Sequence, residues 1–156
     1  ADFKYDVKQD RVVFLIKNNI THKIVGAVGR ALNKKDFPKW YMYGNKDVPF
    51  KCGVCDDAVI VEDCPSACAV SNILTGISIM GTSIKDSHLD HIRPYKNLYV
   101  CLDRDATVKS YTIAKELRSS GFDNVIVKPL EDDLKYYNTE QIRRMFYGLK
   151  DDARDT

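Results

Sequence analysis

Glu62, Asp103 and Asp105 are the residues whose types and spacing point most directly to chemistry. Each stands just beyond an apolar run, AVIV before Glu62 and LYVCL before Asp103. Carboxylates that converge from strand ends repel one another, and a divalent cation is the usual means of neutralising them. Oxygen donors suit magnesium or manganese, which keep several waters and bind substrate phosphates. In phosphoryl transfer such cations align a triphosphate, activate the attacking hydroxyl and stabilise the leaving oxygen. Taken alone, D-x-D favours a plainer role, because an acid after a strand often caps the next helix and Asp105 lies two residues before Thr107. Glu62 at the equivalent end of an earlier strand reverses that balance. In an extended segment Asp103 and Asp105 would point to one side, and Arg104 to the other, free to brace a neighbouring carboxylate.

Charge is distributed unevenly along the 156 residues. Residues 1–51 hold eleven Lys or Arg against five acids, a net +6, whereas residues 52–127 have a net −3 and residues 128–156 a net −1. A basic region meeting a polyanion and an acidic region meeting metal would give this pattern, as would an ordinary solvated surface. The segment LNKKDFPKWYMYGNK interleaves cations with aromatics, which can contact phosphates while stacking on unpaired bases. The competing reading is a surface loop with Trp40 packed in the core.

Five cysteines, an odd number with no apolar leader before them, argue for reduced thiols. Cys52, Cys55, Cys64 and Cys68 only loosely resemble a four-thiolate zinc site, since the second pair is spaced by three residues, so zinc is not expected. Cys101 should be inert within an apolar strand. His88 and His91 read as an exposed polar helix face and His22 as solvated. Tyr136, Tyr137, Phe146 and Tyr147 read as packing for the last helix. No run approaches eighteen apolar residues, so no membrane span is expected, and the protein should be soluble and cytoplasmic.

The elements that must position the acids follow from periodicity. Ala58–Val61 reads as a strand. Pro65 suits the first turn of a helix running through Ala67, Val70, Ile73 and Leu74 to Gly76, and Ile77–Met80 is a second strand. Asp86–Arg93 is a brief helix, Leu98–Leu102 a third strand, Thr107–Ser120 a long helix and Asn124–Leu130 a fourth strand. Thr139 caps a final helix through Leu149. Apolar strands separated by helices predict an α/β domain with a parallel sheet covered on both faces. Ligands in such sheets bind at the carboxyl ends of the strands, where the acids fall. Ahead of it, Arg11–Ile16 and Lys23–Val28 flank Asn18-Asn19 in a hairpin-like arrangement.

VIVEDCPSACAV, SIMGTSI and LYVCLDRDATVKSYTIAKEL together resemble the Toprim module of bacterial-type primases, topoisomerases and some nucleases. The resemblance implies catalytic metal at Glu62, Asp103 and Asp105. RVVFLIKNN, IVGAVGRAL and FPKWY resemble the segment that precedes Toprim in the RNA-polymerising core of primases, and this implies Arg30 and Lys39 in a basic nucleic-acid groove, with Lys51 a further candidate. The resemblance covers roughly residues 11–137. It divides the chain into a basic, β-rich subdomain at 1–55 and a Toprim domain at 56–156, together one catalytic core.

Departures from the family pattern are specific. Asp63 and Ser66 stand where the family has glycine and a second acid, and only Glu131-Asp132-Asp133 is near the usual D-P-D-like motif, making Asp132 and Asp133 further candidate ligands. The family's zinc-binding and helicase-interacting parts are not found in the sequence, as expected of an excised core or a compact phage-type protein. The resemblance implies a primase core using magnesium or manganese, nucleoside triphosphates and a single-stranded DNA template, with a replicative helicase or other replication protein as partner, in a bacterial or phage-infected cell. Two rivals stay open, a Toprim nuclease using the same acids and a non-catalytic single-stranded nucleic-acid-binding protein.

Overall fold

The computed structural model describes residues 3–18, 21–44 and 47–148. The front of the chain forms an antiparallel sheet of β1 (Phe3–Asp6), β2 (Arg11–Lys17), β3 (Ile24–Ala31) and β4 (Trp40–Gly44), hydrogen-bonded in that order. Asn18 closes the β2–β3 connection by accepting from His22 N, while Asn19 and the expected helix end at Leu149 lie outside the described residues. His22 is exposed, as expected.

Register aligns Phe3, Phe14, Val28 and Met42 in one cross-strand row and Tyr5, Val12, Arg30 and Trp40 in another. The strand period of two puts both rows on the same face. Phe14 and Val28 of the first row enter the core, where Phe14 packs edge-on against the exposed Phe3 at 5.1 Å and against Phe50 at 5.7 Å. The second row therefore ends beside the core with a cation and an indole on it.

A five-stranded sheet follows, in the order β5 (Phe50–Cys52), β7 (Thr75–Ser78), β6 (Asp57–Val61), β8 (Asn97–Val100) and β9 (Val125–Val127). All are parallel except β5, an antiparallel edge strand. Ala58, Val59, Ile60 and Val61 of the central strand are wholly buried, as an apolar run covered on both faces must be. Val59 and Val61 face a core shared with Phe14, Ile16 and Val28 of the first sheet, α1 (Cys64–Ala69) and α4 (Thr139–Tyr147). Ala58 and Ile60 face α2 (Asp86–Ile92) and α3 (Thr107–Ser119) through Ile92, Ile113 and Leu117. The fold is thus the expected α/β arrangement of a mostly parallel sheet between helices, preceded by a β-rich segment. Although β5 lies within residues 1–55, it hydrogen-bonds into the second sheet, and one core joins both halves.

Several boundaries differ from expectation. The helix that begins near Pro65 stops at Ala69 instead of Gly76. Val70 and Leu74 keep the helical burial spacing through hydrogen-bonded turns, Ile73 N and Leu74 N both donating to Val70 O, so periodicity outlasts the helix. The next strand is Thr75–Ser78 rather than 77–80, and Gly76 is inside it. The strands expected at 98–102 and 124–130 are shorter, ending at Val100 and Val127. Asn138, not Thr139, caps the last helix, its side chain accepting from Gln141 N at 2.8 Å.

Arg11 is 2% exposed, and its Nη1 donates to the carbonyls of Gly29 (3.3 Å) and Lys39 (3.4 Å). This buried cation ties β3 to the chain entering β4. Arg11→Met keeps the volume and removes both bonds, and we expect it to cost about 2 kcal/mol in urea unfolding.

Candidate active site

A cavity of about 630 Å³ lies where the carboxyl ends of the parallel strands meet the second row of the front sheet. Glu62 enters it directly from β6. Its backbone is fixed because its carbonyl accepts from Gly81 N at 3.0 Å, holding the strand end to the loop after β7. Asp103 arrives from β8 through the buried pair Cys101-Leu102, and Leu102 N is anchored by donating to Ser110 Oγ on α3. Neighbouring parallel strands therefore deliver both carboxylates to one space, as the end-of-strand rule requires.

Asp105 is placed differently. Residues 104–106 form a 3-10 turn opened by Ala106 N donating to Asp103 O at 2.8 Å, so Asp103 and Asp105 do not share one side of an extended segment. Asp105 is exposed and outside the cavity lining, although its charge acts on both Glu62 and Asp103. Among the described residues Arg104 is paired with no carboxylate; its Nη1 reaches the backbone carbonyl of Glu131 at 3.5 Å. Of the two later candidates, Asp133 lines the cavity, whereas Asp132 is exposed and accepts from Asp133 N at 2.9 Å. Asp63 also lines the cavity while its Oδ1 caps α1 by accepting from Ser66 N at 2.9 Å. Ser66 is buried and outside the lining, so the family's second acid has no counterpart at that position facing this space.

The electrostatics are those of crowded acids. Burial first, then the charges of Asp103, Asp105 and Asp63, push Glu62 up to about 7 against partial relief from the Asp103 backbone. Burial and then Asp133 and Asp63 raise Asp103 to about 6, with Lys135 opposing. Glu62 Oε1 is buried with no hydrogen-bond partner among the described residues. An orphaned carboxylate oxygen beside a second strained carboxylate fits a hard divalent cation. No group of three or more His, Cys, Asp or Glu among the described residues is arranged to hold a metal ion by itself. Magnesium is commonly held by one or two carboxylates with waters and substrate phosphates completing its shell, and Glu62 with Asp103 meets that requirement.

A pH dependence follows. A carboxyl group raised on folding binds more protons in the folded chain than in the unfolded one, so stability falls as pH rises. The window runs from 4.5 to about 7 for Glu62 and from 3.8 to about 6 for Asp103. In chelator-treated protein, Glu62→Gln should therefore raise the melting temperature at pH 8 and leave it nearly unchanged at pH 4, as scanning calorimetry can measure.

The front sheet supplies cations to the same cavity. Arg30 and Lys39 both line it, the Arg30 guanidinium lying 5.1 Å from the Trp40 ring centroid. Trp40 packs against Phe14 at 6.2 Å, as the core reading expects, and also lines the cavity. Lys51 is not brought there. Its Nζ donates to the His91 carbonyl and sits 4.6 Å from the Tyr95 centroid, and burial lowers it to about 8.

The remaining candidates are spread through the fold. Cys64 and Cys101 are buried core thiols, the latter pushed up to about 12 by burial. Cys52 on β5 faces Cys68 on α1, whose side chain lowers it. His88 is 1% exposed rather than on a solvated face, and its Nδ1 accepts from Lys85 N at 3.2 Å. Of the late aromatics, Phe146, Tyr137 and Tyr147 pack the core as expected, but Tyr136 is 67% exposed. The sequence reading passed over Lys85, Thr82 and Lys135, which also line the cavity. Lys85 and Thr82 were signalled by their position just after a parallel strand.

A fold of this class, a small antiparallel sheet leading into a mostly parallel one, is seen among solved structures. The crystal structure of the Aquifex aeolicus primase, comprising zinc-binding and RNA polymerase domains, superimposes with a TM-score of 0.64 at 20% identity, covering 92% of this chain. The chain spans 39% of that neighbour's length. No protein-family model and no curated protein sequence matches the chain. At this identity the likeness establishes a primase-like fold. Among the described residues no helix is long and apolar enough to cross a membrane.

Proposed function

We propose that the chain is a Toprim-type primase core, synthesising short RNA primers from nucleoside triphosphates on single-stranded DNA. One observation carries the reading: Glu62 and Asp103, from neighbouring parallel strand ends, open into the same cavity as Arg30, Lys39 and Trp40 of the front sheet. The likeness to the Aquifex aeolicus primase supports it.

In this reading magnesium or manganese would be held by Glu62 and Asp103, with Asp63, Asp105 and Asp133 contributing charge around them and Asp132 exposed. The bound cation supplies Lewis-acid activation of the phosphate. The chain's residues do the rest. Arg30 and Lys39 hold the template or product by its phosphates, and Trp40, kept in place by Phe14 and Arg30, stacks on an unpaired base. The fixed strand ends present the two carboxylates without reorganisation, which is what a transfer dominated by positioning and electrostatics needs. A replicative helicase or other replication protein is the expected partner, and the cytoplasm of a bacterial or phage-infected cell the expected setting.

The test is incubation with single-stranded DNA, labelled ribonucleotides and magnesium or manganese. Primer-length RNA is the expected product. Cation-dependent cleavage of the DNA would instead identify a nuclease, and salt-sensitive binding with neither activity a non-catalytic nucleic-acid-binding protein.

A further inference from the structure

The cavity's cations fall into two sets from different halves of the fold. Arg30 comes from β3 and Lys39 from the residue before β4, whereas Lys85 precedes α2 and Lys135 lies in the 3-10 turn Leu134–Tyr136, all lining the cavity that Glu62 and Asp103 enter. Lys135 Nζ is 3.8 Å from Asp133 Oδ2. Lys85 is exposed, with no carboxylate paired to it among the described residues.

The loop after β7 adds donors of a particular kind. Lys109 Nζ donates to Thr82 Oγ1 at 3.0 Å, which occupies a lone pair of the hydroxyl and leaves its hydrogen to be given to something else. Gly81, before it, has φ +154 and open space where a Cβ would stand, so backbone there is accessible from the cavity. Lysines are point charges suited to phosphate, and a hydroxyl donor beside them completes a short polyanion site. A cavity of about 630 Å³ has room for a nucleotide.

We propose that Lys85, Lys135 and Thr82 form a triphosphate-binding rim, separate in role from the nucleic-acid track of Arg30 and Lys39. The proposal rests on reading the cavity as a nucleotidyl-transfer site and deepens it by assigning where the substrate's polyphosphate sits. The triphosphate has two possible sources, the incoming nucleotide or the 5′ end of the nascent primer. Both offer the same anionic chain to the same cations.

Calorimetric titration of the full chain with tripolyphosphate in the presence of magnesium tests the rim without requiring synthesis. Wild type should bind, Lys85→Ala and Lys135→Ala should each bind roughly tenfold more weakly, and Lys115→Ala, an exposed substitution on α3, should match wild type. Affinity for a labelled oligothymidylate should be retained by both rim variants and lost in Lys39→Ala. Parallel titrations with ATP and with a 5′-triphosphorylated dinucleotide distinguish the sources, the true one being the ligand that loses affinity in the rim variants. Undiminished tripolyphosphate binding in both rim variants, no binding by wild type, or equal loss of oligothymidylate affinity would overturn the proposal. Rim-dependent binding in a chain that makes no primer would sustain it and sink the primase reading instead.

Discussion

Asp103→Asn should leave a folded protein that still binds single-stranded DNA and makes almost no primer. Asp103 stands beside Glu62 at the end of the neighbouring strand, and its carboxylate is one of the two best placed to hold a cation in the cavity. In the proposed reaction, removing its charge should forfeit about 4 kcal/mol of transition-state stabilisation, about a thousandfold in rate. The backbone should be undisturbed, because the turn after Asp103 is opened by its carbonyl and not by its side chain. The proposed DNA contacts, Arg30 and Lys39, lie apart from Asp103 in the chain, so affinity at fixed salt should be retained. Single-turnover synthesis alongside anisotropy with a labelled oligonucleotide checks both halves. Wild-type synthesis by the variant would remove Asp103 from the mechanism.

The largest stability effect is expected far less conspicuously, at Gly76. A Cβ at this position would lie 2.2 Å from Ala67 O and 2.5 Å from Ala67 Cα, both backbone atoms of α1. No rotamer relieves a collision with backbone, so Gly76→Ala must push α1 off β7. The helix is capped by Asp63, next to Glu62, and its displacement disturbs the site as well as the core. We expect a loss of about 3 kcal/mol or more in urea unfolding. Magnesium-induced stabilisation should fall with it. An unchanged midpoint would mean that helix and strand are farther apart than the structure has them.

Gly76 also shows where sequence reasoning failed. The spacing of Ala67, Val70, Ile73 and Leu74 is helical, and a glycine at its end reads as a stop signal, yet the chain turns earlier and spends the glycine on close packing. Single-sequence periodicity cannot tell a helix from a helix followed by turns that bury the same positions. The strands bearing Glu62 and Asp103 were legible because uninterrupted Val, Ile and Leu have few alternatives to a covered parallel strand. The fate of Asp105 was not, since an extended continuation and a 3-10 turn differ by backbone angles that D-R-D does not specify. His88 could have been read better: it lies four residues before Ile92, and both are on the buried side of α2. Lys135 carries no such signal, because a lysine in a short 3-10 turn looks like any other until the fold shows it beside Asp133.

The central claim is that Glu62 and Asp103 together hold a divalent cation in a site that also receives nucleotide. Manganese-soaked crystals grown with a non-hydrolysable nucleoside triphosphate analogue, measured at the manganese absorption edge, test it most directly. We predict an anomalous peak within bonding distance of both carboxylates and of the phosphates, absent in Asp103→Asn. Manganese bound elsewhere on the chain, or nucleotide bound in the cavity with neither carboxylate touching metal, would contradict the account.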